Sequence, residues 1–554
     1  MEVSAMIGSS HPKLGRLDLA RTDVDFCNLK YNCRISTCFG GKPRWKKAGL
    51  RFTLKAFQSE AVADESKSAS GRRSKSEHVS NIALSLSGHS IDNNVKPPLK
   101  VCLVMKRDNV KLYVGLPLDA VSFDCKTIKH ARAIAAGLRA LKLLGVEGVE
   151  LPVWWGIVEN DTMGIYDWTG YLAMAYMVQQ IGLKLHVTLC FHGSQKPYIP
   201  LPKWVSQIGE SEPSVFFADR SGQHYKECLS LAVDDLPVLD GKTPLQVYHS
   251  FCESFKSSFS QFMGSTITGI SMGLGPNGEL RYPSHQQPST NNGTHGVGEF
   301  QCYDKNMLRF LKQHAEASGN PLWGLGGPHD APTYNQLPDS NSFFRNGGSW
   351  ESPYGDFFLT WYANQLLNHG DRLLSLATSI FNDTEVTTYG KVPLLHSWYT
   401  MQSHPCELAA GFYNTVKRDG YEEVAKIFAK NSCTMIMTFP GMDQLSDALV
   451  HPEETLSSHE LLLAQIMEAC RNNGVKVSGE NSSDSGAFWG FEEIKKNIMS
   501  GDNVLELFMY HRMGASFFSP EHFPSFVQFV RSFDQQELHS DDLLEEEAGS
   551  LVET

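Results

Sequence analysis

Residues 131–156 read ARAIAAGLRALKLLGVEGVELPVWWG. Two periodicities meet in this stretch. Ile134, Leu138, Leu141 and Leu144 recur at spacings of three and four, which puts them on one face of a helix. Gly145 stops that helix, because glycine takes the left-handed backbone that ends helices at little cost. VEGVELPVWWG then runs apolar over the length of a single buried strand. A helix, a glycine or asparagine and a short apolar strand form one repeat of an α/β fold.

The repeat recurs along the chain. YLAMAYMVQQIG leads into LKLHVTLCFHG, FCESFKSSFSQFM into ITGISMGLGP, and FFLTWYANQLLNHGDRLLSLA into GKVPLLHSWY. YEEVAKIFAKN leads into CTMIMTFP, LLLAQIMEACRNNG into VKVSGEN, and the stretch around NIMSG into VLELFMYHR. LYVGLPLDAV supplies a strand ahead of the first helix. Alternation of this kind makes a parallel sheet, and eight strands close it into a (β/α)8 barrel. Residues 280–350, rich in Gly, Pro, Asn and Ser, then form an elaborated loop over one end.

Composition narrows the function. The chain has 554 residues, 41% of them hydrophobic, enough for a large core, and a net charge of -12 with no basic stripe for nucleic acid. No apolar run approaches the roughly 20 residues of a membrane span. The 12 cysteines are scattered without a CxxC pair or a Cys/His cluster, so neither a metal nor another cofactor is expected. Residues 1–108 carry basic punctuation and frequent serine without a sustained apolar face, and resemble an organellar transit peptide and flexible linker. The barrel is expected over 109–535 and an acidic, solvated tail over 536–554.

Function in such barrels lies at the C-terminal ends of the strands. Those ends hold Trp154 and Trp155, His192, Glu279, His396, Glu480 and Arg512. Two carboxylates facing one cleft are what glycoside hydrolysis requires. One protonates the leaving oxygen, and the other activates water or attacks the sugar. Glu279 and Glu480 are the candidates, with Tyr282 and nearby Trp residues as an apolar wall for the acid. The plainer alternative pairs each Glu with an arginine such as Arg281 or Arg512. Trp154, Trp155, Trp398 and Tyr399 could stack on sugars or simply pack the barrel mouth.

GELRYPS, GEFQCYDK, FFLTWYANQLLNHGD, AVDDLPVLDGKTPLQVY, SHPCELAAGFYN and VSGEN together resemble the plant β-amylases, glycoside hydrolase family 14, over roughly residues 110–535. The resemblance implies exo-attack on α-1,4-glucan with inversion, giving β-maltose without metal. By the same resemblance Glu279 is the general acid and Glu480 the general base. It also makes His192, Lys391, His396, Thr438, Asn481 and Arg512 glucan-site residues. The inner-loop threonine position falls on Thr438 or, with a one-residue slip, on Met437.

Four departures accompany the match. The mobile lid that follows the histidine in the family is about five residues shorter here, where His192 runs straight into GSQKPYIPLPKWV. A sugar-gripping aspartate has become Pro152, whose side chain accepts no hydrogen bond. The inner loop reads MIMTFPGMD, and the segment around Glu279 carries Asn277 and His285 in place of the usual residues. The expectation is a plastid (chloroplast) β-amylase-like protein with weak or no hydrolysis that binds α-1,4-glucan (starch or maltodextrin) or an active amylase. The alternatives are a working β-amylase and a scaffold that contacts no glucan.

Overall fold

Eight short parallel strands close on themselves. They are β1 (Lys111–Gly115), β2 (Gly148–Trp154), β3 (Lys184–Cys190), β4 (Ile267–Met272), β5 (Thr387–Pro393), β6 (Thr434–Phe439), β7 (Val477–Asn481) and β8 (Leu507–Tyr510). Each pairs with the next in sequence, and β8 pairs back onto β1, so the barrel has no open edge. The structure, a computed structural model, describes residues 110–285, 296–439, 456–481 and 505–532, with Phe491 and Lys495 besides. The expected transit segment, the acidic tail, the inner loop beyond Phe439 and the helix around NIMSG lie outside these residues.

The outer helices are α1 (Ala131–Leu144), α2 (Thr169–Ile181), α3 (Pro244–Ser258), α4 (Pro353–Phe381), α5 (Tyr421–Lys430), α6 (His459–Asn472) and α7 (Phe523–Ser532). Ile134, Leu138 and Leu141 of α1 are buried as their spacing requires. Each such side chain contributes about 1.5–3 kcal/mol by leaving water. Gly145 caps α1 at φ 94°, a left-handed conformation. Helix α3 starts seven residues before its apolar run. Thr243 and Gln246 form a reciprocal capping box, with Pro244 at the first helical position. The loop expected over 280–350 contains a helix, Lys305–Ala317, whose first turn is capped by the Asp304 carboxylate accepting from the Asn306 and Met307 N–H groups.

Period-two alternation divides the barrel interior into two levels. Tyr113, Tyr389, Ile436, Leu507 and Met509 fill the lower level as an apolar plug. The His186 ring meets Tyr389 edge-on at 4.7 Å. Gly269 admits that ring, since a Cβ there would lie 2.4 Å from His186 Nδ1. Two residues further along each strand the interior turns polar, with Glu150, Thr188, Ser271, Lys391, Thr438 and Glu480 on successive strands and His511 just beyond β8. The plug is therefore the floor of whatever site the strand ends form.

Candidate functional site

Lys391 joins the two candidate carboxylates. Its side chain rises inside β5, and Nζ lies 2.7 Å from Glu480 Oε2 on β7. Its backbone extends the sheet toward the segment after β4, where the Leu280 N–H donates to the Lys391 carbonyl at 2.8 Å. Glu279 and Lys391 thus share one parallel bridge. Thr438 on β6 stands opposite Glu480 in register and donates Oγ1–H to Glu480 Oε1 at 3.1 Å. Met437 instead joins the hydrophobic core. The threonine hydroxyl, not the methionine, faces the carboxylate.

The charges around Glu480 are buried: Lys391 is 5% exposed, Glu480 4% and Glu150 0%. Burial pushes the Glu480 carboxyl above the ordinary range, while Lys391 pulls it back. The same carboxylates hold the buried Lys391 ammonium above the ordinary lysine range against its own desolvation. Burial lowers His511 well below the ordinary imidazole range and His186 to about 4, so both are neutral near pH 7.

Glu279 is presented by a tight turn. Asn277 (φ 56°) and Gly278 (φ 79°) both take left-handed backbone. Among residues other than glycine, asparagine tolerates this conformation best, which rationalises Asn277. Gly278 backs onto the His192 ring, and a Cβ at 278 would come 3.4 Å from His192 Nε2. His192 donates Nδ1–H to the Gly193 carbonyl, 2.8 Å away, and packs edge-on against Trp154. Desolvation lowers it to about 4. The Arg281 guanidinium pairs with the Glu279 carboxylate, Nε to Oε2 2.7 Å. Tyr282, expected as an apolar wall, stacks instead on Tyr362 at 3.9 Å and donates its hydroxyl to the Tyr362 carbonyl.

Other expected site residues have different partners. Arg512 donates from Nη1 to Glu150 Oε2 at 2.6 Å and to the Leu116 carbonyl at 3.1 Å, not to Glu480. The Asn481 side chain clasps the backbone of His511, donating to its carbonyl at 3.0 Å and accepting its N–H at 2.8 Å. The carbonyl of His396 accepts from Ser458 N–H at 3.3 Å, and its ring meets His459 edge-on, so this residue faces the start of α6. Trp155 is fully buried and donates Nε1–H to Glu159, and Trp154 donates to the Leu118 carbonyl. Both tryptophans pack the core.

After His192 the chain makes a short hairpin, Ser194–Gln195 against Tyr198–Ile199. It is anchored at its base, where Gly193 N–H donates to the Glu227 carbonyl and the Gln195 side chain to the Glu227 carboxylate. The shortened lid segment is therefore tied to the neighbouring hairpin of Phe216–Ala218 and His224–Leu229.

Residues 113–537 match the model of glycosyl hydrolase family 14. The chain belongs to this family. Inactive beta-amylase 9 of Arabidopsis thaliana is 55% identical over 549 residues, 98% of this chain and 95% of that protein. Beta-amylase 2, chloroplastic, of Oryza sativa subsp. japonica is 39% identical over 440 residues, covering 77% of each chain. Among solved structures, the catalytic domain of beta-amylase from Paenibacillus polymyxa superposes with TM-score 0.63 at 26% identity, covering 77% of this chain and 99% of that one. Two residues of this buried charged cluster escaped the sequence reading, Glu150 and His511. Glu150 had a signal: a charge inside an apolar strand buried on both faces must have a partner. His511 had none, since its place depends on the Asn481 clasp.

Proposed function

We propose that this chain is a β-amylase-like protein of starch breakdown that binds α-1,4-glucan at the C-terminal face and hydrolyses it weakly or not at all. One observation carries the reading. Glu279 and Glu480 are both retained, but the Arg281 guanidinium occupies the Glu279 carboxylate, while Pro152 and the short anchored hairpin stand where groups would grip and cover the glucan. In hydrolysis with inversion Glu279 would protonate the glycosidic oxygen and Glu480 would draw a proton from the attacking water. Thr438 and Lys391 hold Glu480 in place for that role, and Lys391 favours its ionised form. Losing one well-oriented transition-state hydrogen bond costs about 2–4 kcal/mol, roughly 30- to 1000-fold in rate. The similarity to Inactive beta-amylase 9 supports the same conclusion. A plastid setting fits the basic, serine-rich first hundred residues and the several relatives named chloroplastic. The regulatory role would be exerted through bound glucan or an active amylase.

Maltose release from soluble starch, followed with optical rotation, tests the reading. Release at least about a hundredfold below an active β-amylase is expected from the missing contacts, and a rate within tenfold of one refutes it. The second reading, a slow but working β-amylase, rests on the retained carboxylates. It predicts β-maltose from the purified protein and none from Glu279→Gln, and equal product from both excludes it.

A further inference from the structure

Glu150 takes no part in the proton transfers described above, yet at 0% exposure it is the most deeply buried of the charges around Glu480. It lies inside β2, two residues before Pro152 and on the same face of the strand. Among the described residues, the charged side chains Glu150, Lys391, Glu480 and Arg512 surround His511 in the upper barrel. His511 Nε2 is 3.8 Å from Glu150 Oε2 and 3.8 Å from Glu480 Oε2. The two cations could in principle share Glu480. They do not, because Arg512 takes Glu150 and Lys391 takes Glu480.

Pro152 completes the arrangement. Leu116 N–H donates to the Glu150 carbonyl at 2.8 Å as the last β1–β2 rung. The next rung would run from the N–H of position 152 to the Leu116 carbonyl, since alternate residues of a strand direct their peptide groups to the same side. Proline has no N–H to give. The Leu116 carbonyl is left for Arg512 Nη1, which holds it at 3.1 Å. Two side chains of β2 thus combine to seat one guanidinium. Glu150 supplies the charge, and Pro152 leaves the carbonyl open.

We propose that Glu150 is a positioning residue for the glucan cleft, which holds Arg512 against β1 and β2 and keeps its guanidinium off Glu480. This rests on the glucan-binding reading given above. Without the Glu150 charge, Arg512 in this low-dielectric interior turns to the other carboxylate beside it, Glu480, and covers the group that faces the cleft.

The experiment pairs crystallography of Glu150→Gln with calorimetry of maltotetraose binding to the unaltered protein, Glu150→Gln, Arg512→Lys and the double variant. The expected result is an Arg512 guanidinium moved onto Glu480, with binding weakened about tenfold, the loss of one charge-assisted contact. Glu150→Gln should add little in the Arg512→Lys background, because the residue acts through the guanidinium. A purely structural role would lower the melting temperature and leave the affinity of the folded protein unchanged, which overturns the proposal. An Arg512 that stays on the Leu116 carbonyl in Glu150→Gln also overturns it. If the unaltered protein does not bind maltotetraose, the glucan reading falls, and the cleft role of Glu150 with it. The crystal structure still decides whether Glu150 places Arg512. Should Glu150→Gln not fold, Glu150→Asp keeps the charge. It is expected to retain the Arg512 pair and bind within about threefold, and a guanidinium that leaves the aspartate sinks the idea.

Discussion

Replacing Lys391 with methionine removes the partner of Glu480 and little volume. Glu480 is then a buried carboxylate with two ways to respond. It can stay ionised without its ammonium, and breaking a buried pair in that way costs about 3–5 kcal/mol. It can instead take up a proton. Starting from an ordinary value of 4.5, protonation at pH 7 costs about 3.4 kcal/mol at 1.36 kcal/mol per unit. The cheaper route sets a ceiling, so Lys391→Met should lose about 2–3.5 kcal/mol at pH 7. Over the 425 matched residues, at about 2.1 cal/mol/K each, that lowers the melting temperature by about 2–4 °C. The pH dependence is diagnostic. Burial already raises the folded-state pKa of Glu480, and removing Lys391 raises it further. The folded variant then binds more protons than the unfolded chain, and its stability falls as pH rises above 4.5. Relative to the unaltered protein, the deficit should shrink by about 1.4 kcal/mol per unit on going from pH 7 to pH 5. Denaturant unfolding across that range measures it. Adding Glu480→Gln should flatten the slope and recover most of the loss. A deficit that is independent of pH, or that survives in the double variant, would refute the electrostatic account.

Further outcomes follow from other parts of the site. Asn481→Ala leaves the buried N–H and carbonyl of His511 without the partners they have here. It should cost about 2–4 kcal/mol by denaturant titration, and a loss under about 0.5 kcal/mol would mean that other groups satisfy the peptide. Gly278→Ala forces a side chain into φ 79° against His192. About 1–2 kcal/mol of strain should lower stability and weaken maltotetraose binding together, and an unchanged affinity would separate this turn from the site. His186 and His192 are held at about 4 against an ordinary 6.5. Their contribution to stability is present above pH 6.5 and lost as pH falls toward 4, about 3 kcal/mol each. His192→Asn should remove about half of that acid sensitivity in melting curves between pH 7 and 4.5, and an identical acid slope would show that His192 is not buried neutral.

The barrel is legible in the sequence because helix and strand periodicities are local. Ile134, Leu138 and Leu141 repeat every three or four residues whatever surrounds them, and eight apolar strand segments in alternation with helices leave a closed parallel sheet as the way to cover every edge. The candidate carboxylates were legible for the same reason, since Glu279 and Glu480 end recognisable strand units. The misread element was the helix Lys305–Ala317, which lies within a run whose glycines, prolines and asparagines dominate its composition. Its Asp304 cap was the available clue.

Partnership was decided by tertiary structure alone. Glu480 could have met Arg512 or Lys391, and Thr438 or Met437 could have faced it. Barrel register settled both, because side chains inside the barrel meet only when their residues share a level and point inward. Strand β7 puts Glu480 beside Thr438 and within reach of Lys391, and β2 lifts Glu150 to where Arg512 arrives from the end of β8, 362 residues away in sequence. The sequence determined which ionisable groups reach the barrel mouth. The closing of the sheet, which sets distances that no local pattern encodes, decided which opposite charges share the low-dielectric space above the apolar plug.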